Sequence, residues 1–345
     1  MDLECEECHI PRSRGWYFGL DGGDVTIVVC NGDTPQQIRE TLTSRIQQLG
    51  AGRGYAVKPV SIGIIVSPAA GFSYEEICDL ARTAETSGFA SFWVSDHFFG
   101  GPRGMPDRNC LEAWTLLAAL ARDTQRIRLG VLVAAVQFRN PALQAKVAAG
   151  LDHMSGGRLE FGIGAGWKEE EYRAYGYDFP PPSERVEQLR DGLEITRRLW
   201  SEERATYHGK HYRIDDAVCA PKPMQRPRSP IWVGGEGPRV MRLAARYADG
   251  FDLGKHGPGG ADLTNEEMAA AFKGLGSIEE AAKREKPLLR SHWSSSTLEG
   301  DGEALVEKVR GYAGAGLDQY LCAFPKDRAA EMIERSRERL IPAFT

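Results

Sequence analysis

From residue 60 onward, apolar and polar positions alternate in blocks of two kinds. Strand-length apolar runs stand at 61–67 (SIGIIVS), 89–95 (FASFWVS), 127–135 (IRLGVLVAA) and 158–163 (RLEFGI), and weaker ones at 230–234, 248–253, 288–297 and 317–324. Between and after them lie stretches with helical spacing, at 74–87, 111–123, 141–154, 183–201, 238–247, 265–285, 302–315 and 326–340. In the fourth of these, Val186, Leu189, Leu193, Thr196 and Trp200 recur every three or four residues, which places them on one face of a helix. The strand runs are continuously apolar, as in parallel sheets covered by helices on their faces. Eight strand–helix pairs in about 285 residues predict an α/β fold, a (β/α)8 TIM barrel. The competing doubly wound open sheet would put phosphate-binding glycines after its first strand, and only Gly71 stands there.

Residues 1–58 fall outside this repeat and predict a small N-terminal β–α extension, with the barrel domain at 59–345. In DVTIVVCNGDTPQQIRETL the run before Asn31 reads as a strand. Thr34 then reads as a helix N-cap, with Pro35 at the first helical position and Gln37 closing a capping box. Two insertions interrupt the barrel pattern: 98–110 after the second strand, and 202–228 after the fourth helix, the latter carrying the hairpin-like ATYHGKHYRI.

In such a barrel the loops that follow the strands form the mouth where active sites are built. The fourth strand runs into GIGAGW, with Gly162, Gly164 and Gly166, then the helical-looking KEEEYRAYG. Trp167 stands where a dinucleotide fingerprint needs its last glycine. After the fifth strand, Gly234, Gly235, Glu236 and Gly237 lead into the helix PRVMRLAARYA, whose N-terminus adds unpaired donors. Two glycine-rich mouth loops suit a phosphate-bearing ligand, although glycines also serve tight turns. On that reading, Gly166→Val or Gly235→Val weakens ligand binding with little loss of fold. Asp96 and His97 end the second strand run, and histidine is the side chain most easily poised for proton transfer near neutral pH; the alternative is a structural histidine.

The remaining signals are weaker. CEECH at 5–9 has the spacing of haem attachment, a chemistry of exported proteins, and reads as coincidence. His208 and His211 in HGKH read as solvated side chains, no metal site is expected, and His153, His256 and His292 have no suggestive neighbours in sequence. A net charge of −5 gives no general attraction for nucleic acid or anionic membranes. There is no run of about 18 apolar residues and the N-terminus has no apolar segment of signal-peptide type. Seven scattered cysteines read as reduced thiols, so a cytoplasmic protein is expected.

The stretch from RIRLGVLVAAVQFRNPALQ through SGGRLEFGIGAGW to PPPSERVEQL, together with FWVSDHF, YHGKHY and PIWVGGEGPRVMRLAARYADGF, resembles the luciferase-like flavin and deazaflavin oxidoreductases. The resemblance covers roughly 60–345 and is strongest to the branch using coenzyme F420. It implies a barrel, usually a homodimer, that takes a small-molecule substrate and holds its cofactor at the mouth. The phosphate would lie on the loops Ala165-Gly166-Trp167 and Gly234-Gly235-Glu236-Gly237. It also implies a non-proline cis peptide at Leu132–Val133, with Leu132, Val133 and Ala134 forming a bulge behind the cofactor ring, and His97 as the active-site histidine, with Asp96 orienting it or binding the ring's polar edge. A sugar-phosphate-oxidising branch has a glutamate just after its glycine loop where Trp167 stands here, so that branch's substrate does not carry over. Three functions remain: hydride transfer with F420, monooxygenation with reduced FMN, and non-catalytic storage of a flavin.

Overall fold

The eight predicted runs become eight parallel strands: β3 (Ser61–Val66), β4 (Ser91–Val94), β5 (Arg128–Ala135), β6 (Leu159–Gly164), β9 (Ile231–Gly235), β10 (Gly250–Leu253), β11 (Leu289–Ser294) and β12 (Gln319–Cys322). β12 pairs with β3, Leu321 opposite Gly63, and so closes the barrel. The computed structural model describes residues 15–18, 27–30, 59–100, 108–254, 256–257, 261–296, 298 and 302–344. Contacts divide the chain into two units, Met1–Val57 and Lys58–Thr345. In the first, β1 (Gly15–Phe18) pairs antiparallel with β2 (Ile27–Cys30), the strand read from DVTIVVC. The helix read after Thr34 and the CEECH run lie outside the described residues.

The helices follow their local signals. α1 (Tyr74–Ser87) opens on a capping box between Ser73 and Glu76, and α7 (Asn265–Ala281) on one between Thr264 and Glu267. α2 (Ala113–Asp123) is capped by Glu112, and α3 (Pro141–Met154) by Asn140 with Pro141 at its first position. α5 (Pro182–Ser201) buries Leu189, Leu193, Thr196 and Trp200, four of the five residues on its predicted face. α4 (Glu169–Ala174), α6 (Pro238–Tyr247), α8 (Glu303–Gly314) and α9 (Ala329–Arg339) complete the set among the described residues. α7 stops short of the predicted residue 285 because Lys283 adopts a left-handed conformation, φ 52°. The insertion after α5 contains the expected hairpin, β7 (Ala205–His208) with β8 (Arg213–Ala217). No helix among the described residues is long and apolar enough to cross a membrane.

Inside the barrel, Trp93 and Trp232 meet edge to face, with centroids 5.7 Å apart. Ile65, Leu132 and Leu321 pack around them. Their indole N–H groups are satisfied, Trp93 by Ser91 Oγ at 2.8 Å and Trp232 by Glu160 Oε2 at 2.6 Å. Room for the two rings comes from neighbouring strands. A Cβ on Gly130 would lie 2.2 Å from the Trp93 ring, and one on Gly250 2.3 Å from the Trp232 ring. Burying a side chain of this size contributes roughly 4–6 kcal/mol by area. The two rings fill the interior beneath the mouth.

Candidate active site

β4 delivers Asp96 and His97 to the mouth, but to different partners. Asp96, 5% exposed, is held in a fork by Arg139, with Nη1 to Oδ2 at 2.7 Å and Nη2 to Oδ1 at 2.8 Å. Arg139 comes from the turn after β5 and also binds Glu112. Both oxygens of Asp96 are therefore engaged away from His97. The group at His97 is Glu171 of α4, whose Oε2 lies 2.9 Å from Nδ1. Glu171 is buried, and it also accepts from the Phe98 amide at 3.2 Å and from Lys168 Nζ at 3.1 Å. Burial works to raise its pKa, but the hydrogen bonds and charges of His97 and Lys168 outweigh that and hold the carboxyl below its ordinary value. An ionised carboxylate there accepts a hydrogen bond from Nδ1–H, so Nε2 is the nitrogen left to act on a ligand. The orienting role expected of Asp96 thus falls to Glu171, which the sequence reading passed over as one of three glutamates in a charged helix.

The glycines of GIGAGW do two different jobs. The β5–β6 register shifts between Val131 and Ala134, around a cis bond at Leu132–Val133 where the resemblance placed it. A Cβ on Gly162 would sit 2.0 Å from the Val131 carbonyl oxygen, one on Gly164 2.6 Å from a Val133 methyl, and one on Gly234 2.8 Å from the other. These glycines make space for the bulge itself. Leu132 belongs to the interior cluster with Val133 packed against it, while Ala134 is buried in the core between strands and helices, so its side chain is not at the mouth.

Gly166 serves the loop. Its φ is +72°, and a Cβ would fall 1.7 Å from Tyr172 Oη. Tyr172 donates to Gln137 Oε1 at 2.8 Å, and Gln137 Nε2 donates to the Ala165 carbonyl at 3.2 Å, so the three residues clamp the loop. Gly235, at φ +155°, would place a Cβ 3.0 Å from Val240. Substitution at either glycine disturbs the fold before it touches a ligand, contrary to the expectation that the fold would tolerate valine there. Gly237 differs: it caps α6 at φ −87°, with no side-chain cap on that helix and nothing within 4 Å of an added Cβ. Among the described residues α6 thus begins without a side-chain cap and with room beside Gly237, which fits a phosphate. Glu236 is exposed beside them, and Trp167, 71% exposed, stands edge-on to His97 with centroids 5.8 Å apart.

On β10 and β11 the structure buries titratable groups that looked unremarkable in sequence, on opposite faces of the sheet. Asp252 on β10 is 3% exposed and its Oδ1 has no partner among the described residues. Burial pushes its carboxyl up to about 7 against the opposing hydrogen bond from Ser291. His292 on β11 donates from Nδ1 to the Leu253 carbonyl at 2.9 Å, and burial pushes it down to about 4. Its ring lies 5.3 Å from that of His256, which in turn packs 4.3 Å from Trp293, and neither histidine Nε2 has a partner among the described residues. Apolar strand runs hid the contact of His256 with His292, which joins residues distant in sequence. The HGKH pair separates: His208 is solvated and binds Asp215, whereas His211 is largely covered and binds Glu187 at 3.0 Å.

The family profile described as luciferase-like monooxygenase matches residues 54–285. A protein named F420-dependent glucose-6-phosphate dehydrogenase, from Kineococcus radiotolerans, is 33% identical over 263 residues, covering 75% of this chain and 74% of its own length. Among solved structures, an F420-dependent secondary alcohol dehydrogenase in complex with an F420-acetone adduct superposes with a TM-score of 0.71 at 18% identity, over 84% of this chain and 100% of that one. A monooxygenase from Streptomyces bottropensis gives 0.64 at 24% identity, over 83% and 100%. At these identities the two structures speak for the fold.

Proposed function

The chain belongs to the luciferase-like monooxygenase family, and from that membership we propose that it is an oxidoreductase that uses coenzyme F420 to exchange hydride with a small organic substrate at the barrel mouth. The relative named for F420 supports the cofactor. The observation that carries the site is the contact of His97 with Trp167 at 5.8 Å, since it joins the proton-handling side chain to the glycine loop.

The cofactor supplies the hydride; the chain supplies placement and the proton. Backbone amides of Ala165–Trp167 and the N-terminus of α6 after Gly237 would hold the cofactor's phosphate, and the bulge at Leu132–Val133 would back its ring. Glu171 fixes His97 through Nδ1, and Nε2 gives or removes the proton that accompanies hydride transfer. Asp96 with Arg139 anchors the turn after β5 to the end of β4.

The same loops accept FMN, which also carries a tricyclic ring and a phosphate, and the monooxygenase neighbour keeps that reading in view. Parallel titrations with F420 and FMN, followed by fluorescence, separate the two. Tighter binding of F420, with substrate-dependent change in its oxidation state, is expected. Binding of FMN alone, with oxygen consumed on turnover, overturns the assignment.

A further inference from the structure

The wall of the mouth around His97 carries more exposed aromatic surface than proton transfer requires. Trp167 is 71% exposed and Tyr175 57%. Tyr175 stacks on Phe98 at 4.3 Å and 26°, and Phe98 stacks in turn against Tyr177 at 6.1 Å and 15°. These rings rise from the segments after β4 and β6, and Trp167 stands edge-on to the imidazole. A molecule that reaches His97 meets the exposed Trp167 ring beside it.

The charges of this wall are already matched. Arg139 is bound to Asp96 and Glu112, Lys168 to Glu171 and the Phe99 carbonyl, and Arg173 to Glu169. Arg185 lies over the Phe179 ring, 4.0 Å from its centroid, and donates to the Pro180 carbonyl. α4 opens on three consecutive glutamates, Glu169, Glu170 and Glu171. An anionic group brought here would have to displace an existing ion pair, which disfavours it.

From these two observations we infer that the substrate class is an apolar, ring-bearing carbonyl compound or the matching alcohol, seated on Trp167 and Tyr175, rather than a sugar phosphate. This rests on the proposed reading of His97 and the F420 site. A flat apolar body covers the exposed indole and phenol, and its one oxygen reaches His97. Such a ligand needs no cation from the wall.

The test is calorimetric titration of F420-saturated protein with acetophenone and, separately, with glucose 6-phosphate. Acetophenone is expected to bind the parent and to lose roughly tenfold or more in affinity in Trp167→Ala, with a smaller loss in Tyr175→Ala and most of the affinity kept in Trp167→Phe. Glucose 6-phosphate is expected to give no binding heat. Acetophenone binding that ignores Trp167→Ala overturns the inference, as does sugar-phosphate binding of equal strength in parent and both alanine variants. Sedimentation analysis showing this wall closed within a dimer, with Trp167→Ala dissociating it, overturns it too. F420 is titrated first on every protein. Failure of the parent to bind it removes the cofactor reading, whereas normal F420 binding with an indifferent wall removes only the substrate class.

Discussion

On the side of the mouth built after β4, β5 and β6, ionised groups come with ionised partners: Asp96 with Arg139, and Glu171 with both His97 and Lys168. On β10 and β11, Asp252 and His292 are just as buried but each has an atom without a partner among the described residues, and burial shifts both toward their neutral forms. The same low-dielectric interior acts on both sides. Where a counter-charge is within reach the group ionises and becomes a fixed orienting element; where none is, the group keeps or sheds a proton to avoid charge. The paired groups are therefore suited to aim a proton carrier, and the unpaired ones change their protonation with pH.

The largest effect expected from breaking the paired side is that of His97→Ala, which should lower single-turnover rate by roughly 10²–10⁴-fold while the F420 titration shifts far less. An unchanged rate at saturating cofactor and substrate removes His97 from the chemistry.

The unpaired side should reveal itself in stability. The Asp252 carboxyl is raised in the fold from 3.8 to about 7, so the stability tied to its neutral form is complete below about pH 4 and is lost as pH rises through 7. Asp252→Asn should therefore stabilise the protein at pH 8 by about 4 kcal/mol, three pKa units' worth, with the gain vanishing by pH 4. His292 has the opposite sign. Lowered from 6.5 to about 4, it contributes stability above pH 6.5 that is lost as pH falls through 4. In the parent the two slopes oppose each other, so Asp252→Asn should also steepen the acid limb. Urea denaturation across pH 4–8 measures both, and parallel curves for parent and variant would contradict the buried-carboxyl account.

Glu171→Gln keeps the shape of its partner and removes the charge. The loss of one charge-assisted hydrogen bond predicts a rate roughly 10- to 100-fold lower. In a His97→Ala background the same change should cost little more, because the two act as one unit. Additive losses would place Glu171 outside that unit.

The smallest contrast lies between two glycines. Gly166→Ala should destabilise the fold by about 1–2 kcal/mol from its left-handed backbone alone, with displacement of Tyr172 adding to it. Gly237→Ala should leave the urea midpoint in place and weaken F420 binding a few-fold, as a methyl enters the open space at the start of α6. The reverse pattern would exchange the roles given to the two loops.

Sequence gave ready access to whatever depends on near neighbours along the chain. The apolar runs, strong and weak, marked every barrel strand, and helical spacing placed most helix starts within a residue or two. His97 and the loop after Gly234 were visible because position on a barrel strand already sets them at the mouth. What stayed hidden depends on pairing at a distance. Arg139 reaches back 43 residues to Asp96, and Glu171 reaches back 74 to His97. Nothing in KEEEYR singles out its third glutamate, which the fold buries together with the tyrosine after it. The glycines of β6 misled for the same reason: the object they accommodate is Val133, on another strand.

That accommodation sets an order on inheritance. Val133 fills the gap left by the bare backbones of Gly164 and Gly234, so no larger residue fits at either glycine while the valine remains. A lineage that replaced a glycine first would pass through an overpacked intermediate; one that first shortened Val133 would pass through a small cavity, the milder defect. Departures among descendants should begin at position 133, and sequences with a side chain at 164 or 234 should already have lost the branched residue there.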